Sequence, residues 1–85
     1  MTQDEFFQLS EGDTVRFKNY VQGGYNYYQV HSITRKITHE LGIPMPAFRV
    51  WLVPLDANMK ANLTTFRREI QAADDDARRM ELVTV

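Results

Sequence analysis

The chain has 85 residues and a mass of 10.0 kDa, with 44% hydrophobic and 25% charged residues, no cysteine and a formal net charge of −1. That length holds one domain with one core, the composition is that of a folded chain, and the missing cysteine excludes disulfides, thiolate catalysis and cysteine-ligated metals. No apolar run approaches the roughly 20 residues of a membrane helix; no basic start leads into an apolar stretch, so no secretory signal is expected, and a reducing cytoplasm is the expected compartment.

Residues 2–9 predict a short amphipathic helix. Thr2 caps it, Glu5 three residues later completes a capping box, and Phe6, Phe7 and Leu9 give it an apolar side. Ser10 to Asp13 then predicts a turn around Gly12. Val15 to Val21 alternates, with Val15, Phe17 and Val21 on one face and Arg16, Lys18 and Tyr20 on the other, which is the period of a half-buried strand. Gln22-Gly23-Gly24 ends it. Tyr27 to Ile37 predicts a second, longer strand rich in β-branched and aromatic residues. Val30 and Ile33 fall on opposite faces of it, so a bend or bulge near His31-Ser32 is required.

His39 to Pro46, with Gly42, Pro44 and Pro46, is expected to be a loop. Ala47 to Leu55 predicts a third strand. Phe48, Val50 and Leu52 lie on one face and Trp51, Val53 and Leu55 on the other, so both faces need cover. The spacing of Met59, Leu63, Phe66, Ile70 and Ala73 predicts a helix that would supply it, packing over Trp51 and capped by Asp56 or Asn58. Asn62, Thr64 and Thr65 are poor helix formers, and the rival is a hairpin turning at Asp74-Asp75-Asp76. Met80 to Val85 closes the chain as a strand.

The net charge averages unlike parts. Residues 1–13 carry four acids and no base. Residues 14–55 carry Arg16, Lys18, Arg35, Lys36 and Arg49 against Glu40 alone, a charge of +4. Residues 56–85 come to −1. The basic middle also holds all four tyrosines, both histidines and the tryptophan, which makes it the expected binding region.

Catalytic signals are weak. His31 and His39, even with Glu40, match no zinc spacing. Asp74-Asp75-Asp76 lacks the pattern of a calcium loop, and Arg78 and Arg79 neutralise it. Ser10 and Ser32 lie in no nucleophile signature, and Gly23-Gly24 is no phosphate loop. No enzyme activity, metal or cofactor is expected. Tyr20, Tyr25, Tyr27 and Tyr28 cluster around Gly23-Gly24 beside Arg16 and Lys18. Tyrosine and arginine are the usual anchors of protein interfaces. Aromatics beside cations also serve single-stranded nucleic acids, although the near-neutral charge counts against that use.

The segment Glu11-Gly12-Asp13-Thr14-Val15-Arg16-Phe17, followed by the strand from Tyr27 to Ile37, resembles the start of SH3-like small β-barrels, where KOW- and Tudor-type proteins often begin with a similar Gly-Asp-x-Val step. The resemblance implies a small, SH3-like, open antiparallel barrel of about four strands; the residues add a short N-terminal helix and one helix before the last strand, the latter a departure from the simplest barrel pattern, so the expected class is an α+β domain. A fold of this kind does not fix a function. From the residues, the expected role is that of a non-catalytic accessory or regulatory protein, of a size that also suits a phage or mobile-element factor. It would bind a protein partner through Arg16, Lys18, Tyr20, Tyr25, Tyr27, Arg35 and Lys36. The alternative is a small nucleic-acid-binding barrel using the same residues. No membrane partner is expected, and self-association is a further way for so short a chain to bury apolar surface.

Overall fold

In the computed structural model, which describes residues 1–63, 67–72 and 74–83, the elements run α1 (Gln3–Phe7), β1 (Thr14–Lys18), β2 (Tyr25–Glu40), β3 (Ile43–Pro54), β4 (Arg68–Gln71), α2 (Asp75–Arg79) and β5 (Glu81–Val83). The strands form one antiparallel sheet in the order β4-β3-β2-β1-β5. The sheet is open, with β4 and β5 as its two edges. The protein is a small α+β domain with one helix at the N-terminus and one before the last strand, and it has five strands where about four were expected. Among the described residues no helix is long and apolar enough to cross a membrane.

The start of the chain follows its local rules. The Thr2 hydroxyl accepts from the Glu5 N–H, and the Glu5 carboxylate accepts from the Thr2 N–H at 2.9 Å, so both arms of the capping box are made. Those bonds to Thr2, backbone first, hold the Glu5 carboxyl below the usual carboxylate range. Strand β1 is shorter than the alternation implied. The Asn19 side chain accepts from the N–H groups of Val21 and Gln22, turning the chain away, and Val21 stands 94% exposed.

The expected irregularity in β2 is present. Val30 lies opposite Leu52 and Ser32 opposite Trp51, so His31 is the extra residue of a bulge. It restores the parity, and Val30 and Ile33 both join the same core.

Two expectations fail. The segment His39 to Pro46 is not a loop: β2 and β3 run on as a ribbon to a two-residue turn at Leu41-Gly42, whose φ values of 53° and 78° are those of a type I′ hairpin. Pro44 and Pro46 fit because this stretch of β3 has no described strand on its outer side. Nor do the described residues between Met59 and Ala73 form a helix. Residues 56–60 form a turn, Leu55 bridges to Ala61, and Arg68–Gln71 becomes β4, with Ile70 opposite Val50. Phe66 and Ala73 lie outside the described residues. The 3.6-residue spacing competed with the open polar edge of β3, and pairing satisfied that edge. Met59 and Leu63 consequently remain exposed. The acidic run is not a hairpin turn: Asp74 takes the N-cap position of α2 while its carboxylate accepts from the Gln71 N–H, and Asp75 begins the helix.

Both helices cover the same face of the sheet. The core joins Phe6 and Ala77 of the helices to Val15, Val30, Leu52 and Ile70 of the strands, with Met80 sealed beneath α2. Each such side chain contributes about 1.5–3 kcal/mol of burial. The Met1 ammonium donates to the Arg78 carbonyl at 2.8 Å, which ties the chain start to α2. The opposite face carries Arg16, Tyr25, Tyr27, Trp51 and Val53, and no described helix lies over it. Val53 is nevertheless fully buried there, outside the main core cluster. Trp51, expected to pack under a helix, is half-buried opposite Glu69 of β4.

Candidate functional site

The alternation of β1 and the first part of β2 decides which side chains meet. Arg16 pairs in register with Tyr27, and Lys18 with Tyr25, so these four share the uncovered face. The Arg16 guanidinium lies 4.0 Å from the Tyr25 ring centroid. It donates through Nε to the Glu81 carboxylate of β5 at 2.9 Å, with Nη2 2.8 Å from the same oxygen. The Glu81 carboxylate, and after it the Tyr27 hydroxyl, hold Arg16 above its ordinary value. The cation is thus fixed and largely neutralised. Further along the same face, Arg49 of β3 is paired with Glu69 at 3.5 Å.

Tyr25 and Tyr27 border a shallow groove of about 430 Å³ that runs on to Pro54, Leu55 and Asp56. Its lining mixes aromatic and aliphatic side chains with the polar Asn26 and Asp56, and it holds no cation. Tyr28, which also borders this groove, turns its ring to the helix side, packs against the core and meets Phe17 edge-to-face at 5.5 Å.

Lys18 and Tyr20 sit at the end of the sheet. Tyr20 lies in the turn after β1, 76% exposed, and the Lys18 ammonium is 5.4 Å from its ring centroid. Both line a second groove, of about 560 Å³, towards the helix side, with Phe17, Arg68, Asp76 and Arg79. Arg68 stacks 4.9 Å from the Phe17 centroid and is ion-paired with Asp76.

Arg35 and Lys36 are not part of this cluster. They lie ten and eleven residues along β2 from Tyr25, roughly 30 Å at the rise of an extended strand. Arg35 stacks over Phe48 at 4.9 Å, on the helix side of the sheet. Of the seven expected partner-binding residues, the structure brings five together at one end and sets two apart on the ribbon. Sequence reasoning missed Glu81, which reaches Arg16 across 65 residues, and missed the Pro54-Leu55 wall. No local signal marks either one, because both depend on strand order. Among the described residues, no three histidine or acidic side chains converge as metal ligands.

No protein-family model, curated protein or solved structure matches this chain.

Proposed function

We propose that this is a non-catalytic accessory protein that binds another protein through the uncovered end of its sheet, centred on Tyr25 and Tyr27. The observation that carries this reading is the groove between those tyrosines and Pro54-Leu55. Two amphipathic rings at low rotamer cost beside an apolar wall make an interface core. Arg16, pre-ordered between Glu81 and Tyr25, supplies a directed donor at its rim. Lys18 and Tyr20 extend the contact onto the turn. The same geometry weakens the nucleic-acid alternative: phosphate binding requires uncompensated cations, whereas Arg16 and Arg49 are both paired with carboxylates and Asp56 lines the groove.

We also propose that the sheet is an opened version of the SH3-like architecture. Its support is the return of β5 beside β1 after a four-strand meander, and the bulge that bends β2.

The test is capture of partners from the native host with the intact chain and with the Tyr25→Ala/Tyr27→Ala double variant. A partner lost by a variant with an unchanged circular dichroism spectrum supports the face. Retention by the folded variant refutes it. Titration with single-stranded DNA and RNA at low salt is the companion measurement. Tight binding there, abolished by the same substitutions, would transfer the face to nucleic acid.

A further inference from the structure

The ribbon formed by β2 and β3 outruns the rest of the sheet. Strand β1 pairs with β2 only as far as Gln29, and β4 pairs with β3 only over Arg49–Leu52. Phe48 is still held by Phe6 and Phe7, with ring centroids 5.4 and 5.2 Å away. Beyond it the two strands continue alone from Arg35 and Phe48 to the turn, and the molecule is 46 Å long but only 25 Å wide. A two-stranded ribbon on its own is marginal in water.

Its two outer edges are unlike. The Leu55 N–H donates to the Tyr27 carbonyl, whereas the Pro54 carbonyl accepts from Asn62 on the other side. Odd-numbered residues of β3 therefore turn their backbone groups towards β2, and even-numbered ones turn away. Pro44 and Pro46 are even-numbered, so the N–H that proline lacks is missing from the outer edge. That edge cannot template a further strand in full. Across the ladder, their partners His39 and Ile37 turn outwards in the same way, as does Arg35 opposite Phe48. The N–H and carbonyl of Val30 are taken by Asp13 and Gly12. Past that point no described strand pairs with the outer edge of β2. It is long, carries no proline, and presents Ile37 at 69% exposure.

We propose that two copies of this chain pair antiparallel through this outer edge of β2, turning two ribbons into one four-stranded arm. An antiparallel edge is self-complementary about a two-fold axis, and the prolines leave each ribbon one open edge, so pairing through the ribbons closes as a dimer rather than growing into a fibre. The charges exclude some registers, and burial of the exposed Ile37 selects among the rest. Centring on Arg35 or Lys36 would set like charges directly opposite. Centring on Ile37 sets Ile37 against its own copy and Arg35 against His39. The arm lies away from the Tyr25-Tyr27 groove, so dimerisation leaves that groove free.

Sedimentation of the intact chain across a wide concentration range tests this. The expected result is a reversible shift from 10.0 kDa to twice that mass. In the dimer, the amide hydrogens of Arg35, Ile37 and His39 exchange slowly, and they become fast on dilution. Ile37→Pro removes an N–H that β3 does not use, and Ile37→Lys sets two ammonium groups at the axis. Both variants are expected to stay monomeric where the parent chain is dimeric, whereas Tyr25→Ala/Tyr27→Ala is expected to dimerise normally. The proposal is overturned by a monomer at every concentration, by fast exchange of those three amides within a dimer, by a dimer that survives both Ile37 substitutions, or by one that the tyrosine substitutions dissolve.

Discussion

Phe6 and Phe7 are adjacent in sequence and both pack edge-to-face on Phe48, yet their truncations are expected to differ about twofold in cost. Phe6 is 1% exposed in the core beneath α1, while Phe7 is 45% exposed. Replacing a buried phenylalanine by alanine costs about 3–5 kcal/mol, from lost transfer energy and the cavity left behind. For Phe7, burial of roughly half a side chain contributes about 1 kcal/mol, and the aromatic pair adds about 0.5–1 kcal/mol. A domain of this size has a total stability of about 4–13 kcal/mol. Phe6→Ala therefore removes a large share of it, and the melting temperature should fall by roughly 12 °C or more at about 4–8 °C per kcal/mol. Phe7→Ala should lower it by about half as much. Urea and thermal unfolding followed by circular dichroism supply both values, and an unchanged urea slope would establish that the same two states are being compared. Equal costs for the two variants, or a loss below about 1.5 kcal/mol for Phe6→Ala, would refute the docking of α1 onto the sheet through Phe6.

Leu41 sits at φ 53° and fully exposed at the ribbon tip, so Leu41→Asn should stabilise the chain by about 1 kcal/mol, read as a higher melting temperature. Deleting His31 removes the bulge residue and flips the facing of every residue from Ser32 onward. This should unfold the ribbon in NMR spectra, whereas His31→Ala should stay within about 0.5 kcal/mol of the parent chain. The Glu5 carboxyl is held below its ordinary range by Thr2, so its contribution is present above the pH at which the unfolded glutamate titrates. It is lost as pH falls through the lowered folded value. Glu5→Ala should lower the melting temperature at neutral pH, and the gap to the parent chain should narrow in acid; a gap that persists unchanged at low pH would dissociate the Glu5 charge from the cap.

What the sequence determined by itself was local. The capping box at Thr2 and Glu5 needs only four consecutive residues, and it folds as written. The bulge near His31 was legible because period-two alternation admits no other way to place Val30 and Ile33 on one face. Tyr25, Tyr27, Arg16 and Lys18 share a face for the same reason, once β1 and β2 are joined by a short hairpin.

The tertiary structure decided whatever depended on a distant partner. The spacing from Met59 to Ala73 fits a helix, but an unpaired strand edge beside it outweighed a weak local preference, and Ile70 went into β4. Pro44 and Pro46 read as loop residues until β3 placed their missing N–H on an outer edge, where it forfeits no ladder bond. The +4 middle segment read as one basic surface. Strand order split it, neutralising Arg16 with Glu81 and Arg49 with Glu69 while carrying Arg35 and Lys36 out along the ribbon. Charge along a chain is additive, but the field at a surface depends on which carboxylates the fold brings alongside.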